Sequence, residues 1–468
     1  MLVETQSAVN PLSKHIRADL PGRFNELDVL RREWQRVIGM LNGEVLPPYE
    51  VLIHPSSGCN LRCAWCIGDH VPIEIWDDSQ SEPTMLDAAK TAHETLENVL
   101  ADPEAMLSVL RGIVDYRKTD SSGTEFTVEA VSFSGLIGEP LMSKVAVTEA
   151  LHFLADNGRR AGLFTNGVLM DAAVREALVR SAYVHLSLDA GSEDSYALLK
   201  FQGRSSGRRK FSSALENLSQ LAVLRANAPD SQLALNSSFI LYPENYHEVY
   251  EAARLLKDSG VDTMRLKRDI SGERLLDDNQ AQHVQDLVAK IKSDLVDEDF
   301  HLVEIHQMGL PPDLTRHFSA CRITRLMAAI GSDGHLYPCN YHPRPGGAQY
   351  GSAVGEQFAA VWEGQTRASL MTQLPQICPS VCDPFKNRAN TLLETAEDVA
   401  RQESAEQLYE YVNELVEAKA YGSDRDSFSA LVPVPDDAAA AGSGTFLGTP
   451  TLRGPSTPDE GGSSCGGS

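Results

Sequence analysis

Three cysteines fall within eight residues, Cys59, Cys63 and Cys66 in SSGCNLRCAWCIGD (56–69). Soft thiolates bind zinc and iron–sulfur clusters. Such sites normally use four protein ligands, and this loop supplies three. Three thiolates can hold three irons of a 4Fe–4S cube and leave the fourth iron open to a small ligand. A zinc knuckle completed by His54 or His70 is the alternative. A second set, Cys321, Cys339, Cys378 and Cys382, is separated by 17, 38 and 3 residues. Four thiolates suit one fully ligated cluster or structural zinc. The eighth cysteine, Cys465, sits in GGSSCGGS outside both sets and reads as a bystander.

The chain carrying these thiols has 468 residues, enough for two or three domains. Its first twenty residues lack the apolar run of a signal peptide. No stretch approaches the ~20 apolar residues that span a bilayer. The expected compartment is therefore the cytoplasm, with no membrane partner, where thiols stay reduced and serve as ligands or catalysts. A net charge of −24 repels a phosphate backbone, so no nucleic-acid partner is expected.

The elements that must position the cysteines follow from periodicity. FNELDVLRREWQRVIGML (24–41) repeats Leu27, Leu30, Trp34, Ile38 and Leu41 at helical spacing, within a lead-in over 1–45. Short apolar or β-branched runs at 50–54, 130–134, 161–165, 183–188, 233–241 and 262–267 predict strands. Helical patterns lie between them, at 103–117, 144–157, 171–181, 212–227 and 244–259, with another near 84–99. Six βα units predict a parallel α/β sheet curling toward a partial (β/α)6 barrel over 46–306, with ligands at the carboxyl ends of its strands. Residues 307–387 are loop-rich and hold the second cysteine set. An amphipathic helix is expected over 388–422 and disorder over 423–468, where Gly, Ser, Pro, Asp and Ala dominate.

CxxxCxxC after a first strand, with Trp65 before the last cysteine, resembles the signature of radical S-adenosylmethionine (SAM) enzymes. SFSGLIGEP (132–140) is similar to that family's GGEP segment: Gly138, Glu139 and Pro140 match, and Ile137 stands at the first glycine. FTNG (164–167), with Asn166, looks like the end of the family's third strand. The resemblance implies that a 4Fe–4S cluster on Cys59, Cys63 and Cys66 chelates the amino and carboxylate groups of SAM. It places Glu139 at the amino group, and Ser187 and Asp189 at the ribose. Asn236 and Ser238 alternate onto one face of the fifth strand, and Arg265 and Lys267 onto one face of the sixth. A cation there could hold the SAM carboxylate or a substrate acid. Structural readings stand beside these: a backbone-bonded Glu139, a turn or cap for Asp189, structural Asn236 and Ser238, solvated Arg265 and Lys267.

CRITRLMAAIGSDGHLYPCNYHP (321–343), WEG (362–364) and CPSVC (378–382) resemble a twitch or SPASM extension. The cysteine count fits the shorter, twitch-like form with one auxiliary 4Fe–4S cluster. The family then implies hydrogen abstraction from a peptide or a sugar or nucleoside intermediate. A flavodoxin- or ferredoxin-type donor supplies electrons, and the auxiliary cluster relays one away, giving net oxidation. Redox-neutral epimerisation, which needs a spare thiol, and a non-catalytic iron–sulfur or zinc scaffold are the competing readings. The 1–45 lead-in is shorter than the leader-peptide domain of many peptide-maturing relatives, which leaves the sugar or nucleoside class comparably placed.

Overall fold

β-branched and apolar runs become strands, and the amphipathic stretches between them become the helices that cover one sheet face. The computed structural model describes residues 33–64, 66, 96–135, 138–269, 274–304, 316, 318–378, 382, 384–402, 407 and 410. The strands are β1 Glu50–Ile53, β2 Arg117–Thr119, β3 Glu125–Thr127, β4 Ala130–Phe133, β5 Arg160–Thr165, β6 Tyr183–Ser187, β7 Ala234–Leu241, β8 Thr263–Arg268, β9 His301–Glu304, β10 Met327–Ile330, β11 His335–Tyr337 and β12 Gly351–Ser352. Ten form one sheet in the order β12-β11-β10-β1-β4-β5-β6-β7-β8-β9, and β2 and β3 pair apart from it. Neighbours from β10 to β9 run parallel, whereas β10, β11 and β12 are antiparallel.

All six predicted strands form. The short β9 adds a seventh strand to the parallel sheet inside the expected span, and β2 and β3 form a separate pair there. The hairpin of the second unit is hydrogen-bonded to β1, so one sheet runs through both expected units. Among the described residues the sheet thus has eight parallel strands, seven of them within 46–306, where six were expected, and β10 from the second unit.

Residues in register across the sheet share a face. One face carries Val51, Ile53, Val131, Phe133, Leu163, Val184, Leu186, Leu235, Phe239, Met264 and Leu266, all in the main core. α1 Trp34–Leu41 precedes β1, and the helices on this face are α2 Pro103–Asp115, α3 Lys144–Asp156, α4 Ala172–Leu178, α5 Glu193–Phe201, α6 Ser206–Ala226, α7 Val249–Asp258 and α8 Asp278–Asp294. Two more lie between Cys339 and Cys378, α9 Phe358–Trp362 and α10 Gln365–Met371, and α11 Pro384–Gln402 follows Cys382. α1 ends at Asn42 and Gly43 (φ +81°), ahead of Pro47 and Pro48. α6 starts six residues before the predicted helix, and α5 and α8 were not predicted. The expected helix near 84–99 and the tail after 422 lie outside the described residues, as do residues 403–406, 408–409 and 411–422 of the expected amphipathic helix. Among the described residues no helix is long and apolar enough to cross a membrane.

The opposite sheet face is polar yet buried. Ser132, Tyr183, His185, Asn236, Ser238 and Arg265 all lie on it, each at most 4% exposed. Tyr183 lies across Gly162, where a Cβ would come within 2.2 Å of the ring. Its hydroxyl reaches Ser132 Oγ at 2.7 Å, and Ser132 donates to the Glu50 carboxylate. His185 packs against the Phe164 ring at 5.2 Å, and among the described residues neither ring nitrogen has a hydrogen-bond partner.

Burial holds three imidazoles neutral: His54 and His342 are lowered to about 4, and His185 well below the usual value. Below about pH 6.5 the unfolded chain takes up three protons that the folded chain refuses, so acid costs stability. Glu139, raised by burial, works in the opposite direction. The metal-free chain is therefore expected to be about 2–4 kcal/mol less stable at pH 5.5 than at pH 7 by urea unfolding. An unchanged or higher urea midpoint at pH 5.5 contradicts this.

Candidate functional site

β1 delivers the first cysteine loop to the carboxyl end of the sheet. His54 N–H donates to Ile330 O, and Ser143 Oγ to Pro55 O, so the loop starts between two fixed points. Within it, Gly58 N–H donates to Ser56 Oγ and Leu61 N–H to Cys59 Sγ. The loop then crosses the C-terminal end of α5. A helix C-terminus leaves carbonyls without partners. Here Leu199 O accepts from Ala64 N–H at 2.9 Å and Lys200 O from Arg62 N–H at 2.8 Å, so the end of α5 holds both residues flanking Cys63.

The loop after β4 closes on the cysteine loop from the other side. Glu139 N–H donates to Gly58 O at 2.7 Å. A Cβ on Gly138 would sit 2.3 Å from Ser56 O and 2.8 Å from Gly58 O, so only glycine permits this approach. Glu139 is buried, and its carboxylate accepts three hydrogen bonds. Oε1 takes Thr165 Oγ1–H at 2.6 Å and Leu141 N–H at 3.1 Å, and Oε2 takes Asn166 N–H at 2.9 Å. Burial still leaves its pKa above the usual carboxylate range, although these donors pull it down. Pro140 opens a short 3-10 turn, Pro140–Ser143. Asn166 Nδ2 donates to Asn60 Oδ1 at 2.7 Å, tying the end of β5 to the residue after Cys59.

Asp189 takes a left-handed backbone (φ +53°), a conformation that Asp tolerates better than most residues. Its carboxylate is engaged within the protein, by Lys200 Nζ at 2.7 Å and Ile240 N–H at 2.8 Å. Lys200 Nζ also reaches Ser187 O at 2.8 Å. Burial pushes the Lys200 ammonium down, but Asp189 and Cys63 outweigh it and the net shift is upward. Lys200 thus places a buried positive charge beside Cys63. Neither Lys200 nor Asn60 was picked out in the sequence. Lys200 reads as one polar position in a helix, and Asn60 meets its partner only through folding.

The described thiols fall into two groups, and none of them is in a disulfide among the described residues. Cys59 and Cys63 pack against the main core. Burial pushes Cys59 well up and Cys63 to about 12; Lys200 draws Cys63 back, while Cys63 and Cys66 raise Cys59 further and Cys66 raises Cys63. Cys321 and Cys378 are likewise raised to about 12 by burial, with Cys339 adding to both and Cys382 to Cys378. Buried thiols of this kind ionise when a metal centre replaces the proton. Among the described residues no three His, Cys, Asp or Glu side chains converge as tightly as a single ion requires. A cube of four irons takes its thiolates at separate corners, and the all-thiol donor sets suit it.

The second group is built by the hairpin and by α11. The β10–β11 turn, with Gly334 at φ +73°, returns the chain toward Cys339. Cys378 follows α10, its N–H on Pro375 O. α11 clamps the Cys321 segment: Glu394 accepts from Ser319 N–H at 3.0 Å, and Arg322 pairs with Glu397 at 2.6 Å and Glu394 at 3.3 Å. This contact joins the helix to the cysteine unit it was expected to follow. Asn236, Ser238 and Arg265 stand together on the buried polar face, with Ser238 in register with both Ser187 and Arg265. Trp65, His70, Ile137 and Cys465 lie outside the described residues.

No family model and no curated protein matches the chain. Solved structures do. One is SuiB of Streptococcus suis bound to S-adenosylmethionine, 14% identical, covering 80% of this chain and 77% of SuiB at a TM-score of 0.47. Another is anSMEcpe with bound AdoMet, 15% identical, covering 82% and 98% at 0.46. HydG, a maturase of the FeFe-hydrogenase, is 9% identical over 87% and 96% at 0.29.

Two substitutions test the joint between the loops. Glu139→Gln sets an amide N–H against a donor that now meets an oxygen, and should cost about 1–3 kcal/mol. Gly138→Ala should cost a similar amount, about 1–3 kcal/mol, by forcing the loops apart. Urea unfolding reads both, and midpoints equal to the parent contradict the assignment.

Proposed function

We propose that the chain is a radical SAM enzyme acting on a peptide or on a sugar or nucleoside intermediate, with net oxidation of the substrate. The observation that carries this reading is the three-thiol loop at the carboxyl end of β1. It is held by the ends of β4 and β5 and by α5, beside a buried polar sheet face. Cys59, Cys63 and Cys66 would hold a 4Fe–4S cluster, and Cys321, Cys339, Cys378 and Cys382 an auxiliary one. When bound and reduced, SAM and its cluster supply a 5′-deoxyadenosyl radical that removes a hydrogen atom from an unactivated C–H bond.

The residues of the chain bind, orient and exclude water. Lys200, through its charge beside Cys63, favours the thiolate form and offsets part of the negative charge gathered at the loop. Gly138, Glu139 and Pro140 fix the loop that would face the SAM amino group, with Glu139 acting through its backbone and its three anchored bonds. Asn166, Ser187, Asn236, Ser238 and Arg265 are the proposed contacts to SAM or substrate. Asp189 acts by fixing Lys200 and β7. The all-thiol second set supports an electron outlet, and oxidation then needs no thiol as hydrogen donor. A flavodoxin- or ferredoxin-type protein is the proposed electron source.

Anaerobic reconstitution with iron and sulfide tests this. About eight irons per chain are expected, two cubes of four. Dithionite and SAM should then yield 5′-deoxyadenosine. Replacing Cys59, Cys63 and Cys66 by alanine should remove about half the iron and all SAM cleavage. A fully loaded, reduced protein that releases no 5′-deoxyadenosine with substrate extracts or without them overturns the enzyme reading.

A further inference from the structure

Asn390 is fully buried on α11, beyond the residues expected to form the second cysteine unit. Its Oδ1 accepts two backbone N–H groups, from Arg322 at 2.6 Å and Ile323 at 2.9 Å. Its Nδ2 lies 3.4 Å from Cys321 Sγ. The orientation of the amide follows from its partners. Both backbone groups are donors, so the oxygen must face them and the NH2 must face the sulfur. Flipping the amide would set two donors against its nitrogen and its oxygen against the thiolate.

We propose that Asn390 is a positioning residue for the second cluster, which donates an N–H to the Cys321 sulfur and thereby sets the reduction potential of that cluster. The inference rests on reading the second cysteine set as an iron–sulfur cluster. A hydrogen bond to a cluster thiolate stabilises negative charge on sulfur and so favours the reduced state. The bond is anchored twice over. The Oδ1 contacts lock the amide to the backbone just after Cys321, and the Glu394 and Glu397 contacts lock the helix to the same segment. α11 thus does more than cover apolar surface: it brings a fixed donor to one ligand of an electron outlet.

The test is a potentiometric titration of the reconstituted full-length protein, followed by electron paramagnetic resonance. The signal that SAM does not perturb is assigned to the second cluster, since that cluster has no open iron. Asn390→Asp keeps an oxygen for both backbone N–H groups and replaces the NH2 with an anionic oxygen. The second cluster should become at least tenfold harder to reduce, about 59 mV for a one-electron couple, with iron content and the SAM-sensitive signal unchanged. An unchanged potential at full iron content overturns the proposal. If Asn390→Asp loses iron, Asn390→Ser, uncharged and without the amide N–H, is read by the same criterion. Loss of about four irons from both variants shows that the bond builds the site rather than tunes it, and overturns the proposal as well. Zinc on the second set of the parent protein, with SAM cleavage intact, overturns both this inference and the auxiliary cluster while leaving the first loop standing.

Discussion

The carboxylate of Glu139 is the joint on which the rest of the site depends. A buried carboxylate is costly unless hydrogen bonds replace its water, and Glu139 has three, from Thr165, Leu141 and Asn166. Its own N–H holds Gly58, one residue before Cys59. One residue therefore fixes the end of β5, the turn after β4 and the start of the cysteine loop. Gly138 makes the joint close enough, because any side chain there would meet two carbonyl oxygens of the neighbouring loop.

The other side of the loop is fixed by a helix end. α5 leaves carbonyls unsatisfied, and the cysteine loop fills two of them with the N–H groups that flank Cys63. The same helix carries Lys200, whose buried ion pair with Asp189 reaches toward β7. Removing either partner of such a pair strands a charge in the interior, typically a loss of about 3–5 kcal/mol. Position, charge and rigidity at Cys63 thus share one source. The sheet supplies the rest: an apolar face packed on helices and a polar face that stays buried.

Much of this was legible in the sequence. The six parallel strands appeared as short β-branched runs, and the alternation in LNSSF and in TMRLK placed Asn236, Ser238, Arg265 and Lys267 on one face. β9 was too short to register against its surroundings. α8 did carry a start signal, the Asp277–Gln280 capping box. α5 carried one too, in Ser192 followed by Glu193 and Asp194. What could not be read were contacts that join residues far apart in the chain: Asn60 with Asn166, Asp189 with Ile240, Asn390 with Cys321. Each depends on how crossovers bring loop ends together, and local pattern carries no trace of that. Asp189 shows the limit most clearly. It follows β6, as read, and its carboxylate accepts from Lys200, a partner that the strand pattern did not show.

The central claim is that three thiolates leave one iron open for SAM. Electron–nuclear double resonance on the reduced, iron-loaded protein tests it most directly, using SAM labelled with nitrogen-15 in its amino group and oxygen-17 in its carboxylate. Coupling of both labels to the cluster spin is the predicted result. A fully loaded, reduced cluster on Cys59, Cys63 and Cys66 whose spectrum shows neither coupling would contradict the account.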